Sequence, residues 1–372
     1  MIVQASAPTR IDLAGATMDI WPLYLHHLGA QTLNVAITIR AHCSIKTAEE
    51  GGIRIQSLDT GQTVSLKHES ELLNGNELIL IRKILHFFKM EDVEVITRSD
   101  SPIGAGIAGS SALNVALCAS AARWQGKTYS PEELLQIAMN IEAQAIKVPT
   151  GAQDYRPAYY GGVSAVEFDV AGVHRVALDL NLIELEQRLI LAYTGSSRQS
   201  AVNNWTVMKA HLDGDSKVFA HFEQIRDIAL SMRQALLSSN WTAVGQLMTA
   251  EWEARKQLTP GITTETIDQL IFNAQEAGAL GAKICGAGGG GCLVCLADPS
   301  AVQDVEKALT NSGAEVHKCT IDTEGLTVTS GDSSFGEDVD VTGLTKLNNT
   351  TDASSKSVAS TVIQGGLGVV KK

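Results

Sequence analysis

The chain has 372 residues, which is long enough for a sizeable hydrophobic core and for two domains. Hydrophobic residues make up 44% of it, as is typical of a globular protein, and its formal net charge of −12 argues against a broad nucleic-acid-binding surface. No apolar run is long enough for a transmembrane helix, and the first residues lack the pattern of a signal peptide. We therefore expect a cytoplasmic protein with no membrane or nucleic-acid partner.

Strand-like alternation dominates the first part of the chain, over residues 2–15, 32–48 and 52–59. A helix is predicted at 77–90 and a strand at 93–98. A glycine-rich loop and a helix of small residues follow, and the small side chains predict close packing on a sheet. The next helix, at 130–146, begins with a capping signal formed by Ser130, Pro131 and Glu133.

Further strands are predicted at 161–170 and 188–195, and the chain from 216 to about 280 is mostly helical. A strand, a helix and a strand follow, which predicts an α+β protein whose second domain begins near residue 185. We predict domains at 1–184 and 185–325. The segment 326–372 is rich in Ser, Thr, Asp and Gly and predicts a flexible tail outside the fold.

The six cysteines are scattered along the chain, which favours reduced thiols. Cys292 and Cys295 form a C-x-x-C pattern inside the apolar stretch GCLVCLAD, but no second pair or nearby histidine completes a zinc site. We interpret them as buried cysteines of a strand. The adjacent histidines His26 and His27 show no metal-ligand spacing, and we expect a surface or core role for them. Because they follow Asp19, contact with a substrate is the alternative.

The loop PIGAGIAGSSAL places Gly104, Gly106 and Gly109 in the spacing G-x-G-x-x-G. A nicotinamide-binding fingerprint requires a strand directly before the loop and an acidic residue at the end of the next strand, and this context is missing. No Lys-Ser or Lys-Thr follows, which excludes a Walker loop. Backbone N–H groups and a helix starting near Ser110 still predict a phosphate cradle, although a tight strand-to-helix loop explains the glycines equally well.

Two other stretches bracket this loop, APTRIDLAGATMD near the N-terminus and KICGAGGGGCLVCLA at 283–297. The three motifs (Pro8 to Asp19, Pro102 to Ala112, Gly286 to Gly291) together resemble the GHMP kinase superfamily of galactokinase, homoserine kinase, mevalonate kinase and phosphomevalonate kinase. The resemblance covers residues 1 to about 325. It implies a ribosomal-protein-S5-like N-terminal α/β domain, a ferredoxin-like C-terminal domain and an active site in the cleft between them.

The resemblance also implies ATP and Mg²⁺ as cofactors, with Asp154 and Arg10 as catalytic residues. Asp154 would accept the proton of the acceptor hydroxyl or hold the neighbouring charges in place, and Arg10 would stabilise the moving phosphoryl group. Ser111 and Glu142 match the magnesium ligands, although Glu142 alone reads as a solvated helix residue. The residues expected to bind ATP are Pro102, Gly104, Gly106, Ile107, Ala108, Gly109, Ser110, Ser111 and Ala112.

A small-molecule acceptor is expected beside these groups. Asp19 stands where sugar-kinase members keep a carboxylate for substrate hydroxyls, and a turn residue is the alternative. The stretch from Thr194 to Ser200 contacts substrate or caps the next helix. The full set expected to bind the acceptor is Asp19, Gly151, Gln153, Thr194, Arg198, Gly288 and Gly289.

The stretches GATMDIWPLYLHHLG and GAQDYRPAYYGG look closest to kinases that phosphorylate an anomeric sugar hydroxyl, such as heptose 7-phosphate kinases and galactokinase. Ala16, Thr17 and Tyr155 depart from the patterns of those members, so another monosaccharide or sugar phosphate is expected. The alternatives are a mevalonate-type kinase and a non-catalytic sugar or nucleotide sensor. Retention of Arg10, Ser111, Glu142 and Asp154 favours an enzyme, which we expect to be a monomer or a homodimer.

Overall fold

The structure is a computed structural model that describes residues 1–196 and 200–331, without the side chains of residues 200–203. Within these ranges the strands, numbered along the chain, are β1 (Ile2–Ala14), β2 (Gln31–Thr47), β3 (Ile53–Ser57), β4 (Gln62–Leu66), β5 (Val93–Ser99), β6 (Val163–Asp169), β7 (Gly172–Ala177), β8 (Leu189–Tyr193), β9 (Ala279–Ile284), β10 (Cys292–Ala297), β11 (Glu315–His317) and β12 (Thr327–Gly331).

Helices pack on both of the sheets that these strands form. In the same ranges the α-helices are α1 (Ile79–Phe87), α2 (Gly109–Trp124), α3 (Pro131–Ile146), α4 (Tyr155–Tyr160), α5 (Leu182–Glu186), α6 (Ser200–Leu212), α7 (Ser216–Leu237), α8 (Trp241–Lys256), α9 (Glu265–Glu276) and α10 (Val302–Asn311). Two short 3₁₀ helices lie at Leu23–His26 and Glu69–Glu71. None of the helices in the described ranges combines the length and apolar character of a membrane span.

The first sheet is organised around β1 and β2, and its main path runs β12-β1-β2-β5-β3-β4. The 17-residue β2 pairs with β1 along one edge and with both β6 and β5 along the other. Helix α2 lies across β1 and β2 and buries its alanines there, because small side chains let a helix approach a sheet closely. This confirms the predicted packing of the small-residue helix.

The second sheet is antiparallel and runs in the order β11-β8-β10-β9. Counted within this sheet, the strands are arranged 4-1-3-2, with α6 to α9 between the first two strands and α10 between the last two. A strand order of this kind, with helices after the first and third strands, is the split β-α-β arrangement of ferredoxin-like folds. The predicted α+β class and the ferredoxin-like second half are confirmed.

The end of the described chain corrects the predicted tail. Thr327–Gly331 forms β12, which pairs antiparallel with β1 at the edge of the first sheet. The preceding Ile321 bridges to Ile37 of β2, and Asp322 binds Arg40. The predicted tail from residue 326 is therefore wrong at 326–331, because an edge strand gains its stability from backbone pairing and needs no hydrophobic run. The rest of the predicted tail, 332–372, lies outside the described residues.

Two local predictions are confirmed. Ser130 caps α3, since its hydroxyl accepts from the Glu133 N–H at 3.3 Å and the Glu133 carboxylate accepts from the Ser130 N–H at 2.8 Å. Cys292 and Cys295 are buried on β10. They are three residues apart on a strand, so their side chains leave opposite faces and cannot bind one metal ion. Burial raises the pKa of the Cys295 thiol.

A cluster of histidines joins the segment after Asp19 to the helices of the second half. His27 Nε2 lies 2.9 Å from His211 Nε2 of α6, and His27 Nδ1 contacts the carboxylate of Glu223 on α7. Both imidazoles are buried, and burial lowers the pKa of His211 from 6.5 to about 4. The described residues hold no group of three or more His, Cys, Asp or Glu side chains that could bind a metal ion. The rings of His27 and His211 also pack against the ring of Phe222, each with a centroid distance of 5.5 Å, so the cluster is a packing contact.

This contact predicts a loss of stability in acid. His211 of the unfolded chain takes up a proton below its ordinary pKa of 6.5, whereas the folded protein does so only near 4. Its contribution to stability is therefore complete above pH 6.5 and declines as the pH falls towards 4. A His211→Phe variant should show a flatter dependence of Tm on pH over this range than the wild type. His174→Gln, at an exposed histidine, is the control, and equal slopes for His211→Phe and wild type would contradict the prediction.

Candidate active site

A cavity of about 570 Å³ lies where the glycine-rich loop, the end of α3 and the segment before α4 meet β1. We call it the central cavity. It brings together most of the residues singled out from the sequence, namely Arg10, Asp19, Pro102, Gly104, Gly106, Ala108, Gly109, Ser110, Ser111, Glu142, Gly151, Gln153 and Asp154. The remaining loop residues Ile107 and Ala112 are buried beneath its wall.

The glycine-rich loop presents the N-terminus of α2 to this cavity. Gly104 and Gly106 have φ angles of 72° and 78°, a region that glycine enters without steric cost. Ala108 is the N-cap residue with a φ of 65°, and no side chain caps the helix there. The first N–H groups of a helix lack intrahelical acceptors and lie at the positive end of its dipole. The loop therefore offers an anion several N–H donors.

Arg10 and Asp154 form an ion pair at the wall of the central cavity. Arg10 is buried on β1, and its Nε and Nη2 both donate to Asp154 Oδ1, the former at 2.9 Å. Its Nη1 donates to the carbonyl of Gly106 at 2.8 Å, which ties the guanidinium to the glycine-rich loop. Burial acts to lower the pKa of Arg10, but the charges of Asp154 and Asp12 outweigh it and raise that pKa above its ordinary value.

Behind Arg10 lies a network of fully buried charges. Asp12 is two residues further along β1, so its side chain leaves the same face as that of Arg10. Its carboxylate lies 2.8 Å from Lys283 Nζ on β9 and 3.6 Å from Arg255 Nη1 on α8. Glu251 of α8 lies 2.9 Å from the same Lys283 Nζ. The cations of Arg10, Arg255 and Lys283 are thus packed against the carboxylates of Asp12 and Glu251. Asp154, which pairs with Arg10, brings the number of carboxylates to three.

Asp12 also connects this network to the third glycine motif. The Gly286 N–H donates to Asp12 Oδ1 at 2.8 Å, and the Arg255 guanidinium donates to the Gly286 carbonyl. Burial acts to raise the pKa of Asp12, but the charges of Lys283, Arg10 and Arg255 outweigh it and hold that pKa below its ordinary range. Asp12 is therefore ionised and links β1 to both α8 and β9.

Glu142 lies within the site on the last turns of α3, and three donors hold its carboxylate. Ser110 Oγ donates to it at 2.8 Å, Tyr155 OH at 2.7 Å and Asn114 Nδ2 at 3.3 Å. Burial raises the pKa of Glu142 above its ordinary value, although the hydrogen bonds from Tyr155 and Ser110 oppose this. The reading of Glu142 as a solvated residue is wrong, because it is only 6% exposed. Ser110 provides the hydroxyl that contacts Glu142, and Ser111 lines the cavity one residue further on.

Asp19 is also buried, and the chain around Gly151 is shaped to receive it. A Cβ at Gly151 would lie 2.1 Å from Asp19 Oδ2, so no larger residue fits there without displacing the carboxylate. The Gln153 N–H donates to the same oxygen at 3.0 Å. Burial, followed by the neighbouring charge of Asp154, raises the pKa of Asp19 to about 6. Gly151 therefore acts through Asp19, by allowing its close approach.

Three residues expected to bind the acceptor lie elsewhere. Gly288 and Gly289 pack against Ile262, where a Cβ on Gly288 would lie 2.7 Å from the Ile262 carbonyl oxygen. The Thr194 N–H donates to the Gly291 carbonyl at 3.0 Å. None of these residues lines the central cavity, so their predicted contact with the acceptor is not supported. Arg198 lies outside the described residues.

Sequence reasoning missed several residues of the site. Tyr155 and Asn114 hold Glu142. Lys283 and Arg255 pair with Asp12, and Glu251 pairs with both of these cations. Tyr155 directly follows Asp154 in the chain. Asn114 follows Ser110 by one helical turn, and this spacing places Ser110 and Asn114 on one face of α2. Lys283 precedes the third glycine motif, but no local pattern pairs it with a carboxylate more than 200 residues away. Only the folded chain brings these groups together.

Removal of the charge at the centre of the network should destabilise the protein strongly. Asp12→Asn leaves Lys283, Arg255 and Arg10 buried with too little negative charge, and loss of one partner of a buried ion pair costs about 3–5 kcal/mol of unfolding free energy. Urea denaturation followed by circular dichroism measures this loss. The control is Asp213→Asn, which breaks the exposed ion pair with Lys209 and should cost less than about 1 kcal/mol. Similar losses in the two variants would contradict the structural role given to Asp12.

Comparisons with known proteins agree with this arrangement. The family model for the GHMP kinases N terminal domain matches residues 78–162, which include the glycine-rich loop and Asp154. The model for the GHMP kinases C terminal matches residues 232–315, which include Glu251, Arg255 and Lys283. The two models together therefore contain residues of both the cavity wall and the buried network.

Individual relatives span nearly the whole chain. D-glycero-alpha-D-manno-heptose 7-phosphate kinase of Campylobacter jejuni is 27% identical over 336 residues, or 87% of this chain and 98% of that protein. Mevalonate kinase of Thermococcus sibiricus is 27% identical over 347 residues, or 88% of this chain and 98% of its own length. The crystal structure of a D-glycero-D-manno-heptose 1-phosphate kinase from Bacteroides thetaiotaomicron has the same fold, with a TM-score of 0.72 at 23% identity over 89% of this chain and 100% of that one. The chain thus carries the N-terminal and the C-terminal domain of the GHMP kinases, as its three motifs predicted.

Proposed function

We propose that the chain is an ATP-dependent kinase that transfers the γ-phosphoryl group to a hydroxyl of a sugar or sugar phosphate. The observation that carries this proposal is the position of the Arg10–Asp154 ion pair, between a helix N-terminus that binds anions and a buried carboxylate suited to hydroxyls. A phosphoryl donor and an alcohol acceptor can therefore meet at the guanidinium of Arg10 and the carboxylate of Asp154.

The glycine-rich loop and α2 would hold the phosphates of ATP. Their N–H groups give fixed, positively polarised donors, and phosphoryl transfer needs mainly positioning and charge stabilisation. Next to the loop, the central cavity has an apolar end formed by residues such as Leu78, Ile79, Ile103 and Ile146. A purine base fits an apolar surface of this kind, so we expect it there.

Glu142 and the hydroxyls of Ser110 and Ser111 would hold Mg²⁺. Oxygen ligands are those that Mg²⁺ prefers, and it commonly binds one or two carboxylates together with phosphate oxygens and water. The fit is supported by the burial of Glu142 beside the phosphate loop, where a nearby cation would relieve the cost of ionising it. When bound, Mg²⁺ neutralises part of the phosphate charge.

Asp154 and Arg10 would act on the acceptor hydroxyl and on the moving phosphoryl group. Both bonds from Arg10 go to Asp154 Oδ1, so Oδ2 would be the oxygen that accepts the proton of the acceptor hydroxyl or orients it. Arg10 is held in place by Gly106 and Asp12, and a preorganised cation stabilises developing negative charge without reorganisation.

The acceptor is expected to be a polyol because of Asp19 and Gln153. Asp19 accepts hydroxyl donors when ionised, and Gln153 Oε1 is a buried acceptor that has no hydrogen-bond partner among the described residues. These acceptors suit sugar hydroxyls. They favour a sugar over mevalonate, because the carboxylate of mevalonate would be repelled by the negative charge of Asp19.

Activity with a panel of acceptors tests the kinase proposal. With ATP and Mg²⁺, ADP release should appear with one monosaccharide or sugar phosphate and fall about a thousandfold in Asp154→Asn. The control is Asp213→Asn, whose carboxylate lies outside the central cavity. Tight binding of ATP and a sugar with no ADP release from any acceptor would overturn the proposal and favour a sensor. ADP release with mevalonate and with no sugar of the panel would make this a mevalonate-type kinase.

The acceptor KM should depend on pH through Asp19. Its pKa of about 6 means that the carboxyl is increasingly protonated below pH 6 and loses its capacity to accept two hydroxyl donors. The acceptor KM should therefore rise about tenfold as the pH falls through this value, the size of one lost hydrogen bond to a charged group. Asp19→Asn should have a high KM that is independent of pH, while the KM for ATP stays unchanged. A pH-dependent rise in Asp19→Asn that equals the wild-type rise would assign the effect to another group.

A further inference from the structure

A second cavity, of about 600 Å³, lies on the other side of Asp19. We call it the rear pocket. The outer face of α3, the segment after Asp19 and the turn between β6 and β7 surround it, and its lining includes Trp21, Tyr24, Glu132, Gln136, Asn140 and Arg156. Asp19, Pro149 and Thr150 line both cavities. The rear pocket therefore adjoins the central cavity at these three residues.

The charges of the rear pocket disfavour an anion. Asp19 and Glu132 bring two carboxylates to the lining. Arg156 is nearly buried, and its Nη2 already donates to Glu132 at 2.6 Å. These three groups carry a net negative charge when Asp19 is ionised. A phosphate group would meet more repulsion than attraction in this pocket.

The other side chains of the pocket suit an uncharged polyol. The Trp21 side chain is 63% exposed at the pocket, and Tyr24 is held in place by stacking on Phe168 with a centroid distance of 5.4 Å. Aromatic rings offer apolar faces to the C–H groups of a sugar, and amides both donate to and accept from its hydroxyls. Gln136 and Asn140 supply such amides from one exposed face of α3, since they are one helical turn apart.

An unsatisfied donor adds a second reason for a ligand here. Arg156 Nε is buried and has no hydrogen-bond partner among the described residues, while the other guanidinium nitrogens bind Glu132 and the carbonyls of Ala152 and Val173. A buried donor without a partner is unfavourable unless a bound group satisfies it. A hydroxyl oxygen would do so without bringing a charge into the pocket.

We propose that the rear pocket binds the end of the acceptor sugar that is remote from the reacting hydroxyl, and that this end is uncharged. The proposal rests on the proposed sugar kinase function and deepens it, because it selects a free sugar over a terminally phosphorylated one. Asp19 then contacts the acceptor between its two ends. Trp21 and Asn140 determine acceptor specificity and take no part in the phosphoryl transfer.

Kinetics of a Trp21→Ala variant test the proposal. Loss of one aromatic contact should raise the KM for the accepted sugar about tenfold and leave the KM for ATP and kcat close to wild type. Asn140→Ala should raise the same KM to a smaller extent. Trp205→Ala is the matched control, since Trp205 is an exposed tryptophan that lines neither cavity. An acceptor KM that is the same in Trp21→Ala and wild type would overturn the proposal.

A direct binding measurement separates this proposal from the kinase function. Titration of the full chain with a seven-carbon sugar, followed by tryptophan fluorescence, should give a signal that is lost in Trp21→Phe and kept in Trp205→Phe. The same sugar with a terminal phosphate should bind at least about tenfold more weakly. Tighter binding of the phosphorylated sugar, or a signal that persists in Trp21→Phe, would overturn the rear pocket as an uncharged subsite. Absence of ADP release with every acceptor, despite this binding, would overturn the kinase function alone.

Discussion

The buried carboxylate of Asp12 is the interaction on which the rest of the site depends. Charges removed from water are strongly destabilising unless they are paired at short distance, so Lys283, Arg255 and Glu251 can only be buried together with Asp12 and Arg10. These groups come from β1, α8 and β9, which belong to the two halves of the chain. The need to pair them fixes the register between the two halves and the direction in which Arg10 reaches Asp154.

The third glycine motif, Gly286 to Gly291, connects the buried charges around Asp12 to the glycine-rich loop. Gly286 binds Asp12 through its N–H and Arg255 through its carbonyl, and the Cys292 N–H donates to the Ala105 carbonyl of the glycine-rich loop at 2.6 Å. A Cβ at Gly291 would lie 2.5 Å from that same carbonyl oxygen. The motif therefore holds the glycine-rich loop by close backbone packing at Gly291, whereas Gly288 and Gly289 pack against Ile262.

Asp19 gives the site a second constraint. It is buried where the central cavity and the rear pocket adjoin, and its position depends on the absence of a side chain at Gly151. Burial beside Asp154 raises its pKa to about 6, so its hydrogen-bonding capacity changes around that pH. A single buried carboxylate thus lines both cavities, and its protonation state changes with pH.

The amino-acid sequence by itself determined the local features of this protein. Short-range geometry determines the capping of α3 by Ser130, the small-residue helix α2, the buried strand at Cys292 and the tight glycine-rich loop. The order of three motifs also indicated the family and placed Arg10, Asp19, Glu142 and Asp154 in one site. The predicted tail was wrong at β12, because an edge strand is stabilised by backbone pairing with β1 and leaves little hydrophobic pattern.

The tertiary structure alone decided how these residues are held. Asp12 and Lys283 are 271 positions apart in the chain, and no local pattern predicts that they meet at 2.8 Å. The hydrogen bonds from Tyr155 and Asn114 to Glu142, and the rear pocket behind Asp19, also depend on helices that pack from distant segments. Local propensity acts over a few residues, whereas burial and charge pairing act between any groups that the fold brings into contact, so these features appear only in the folded chain.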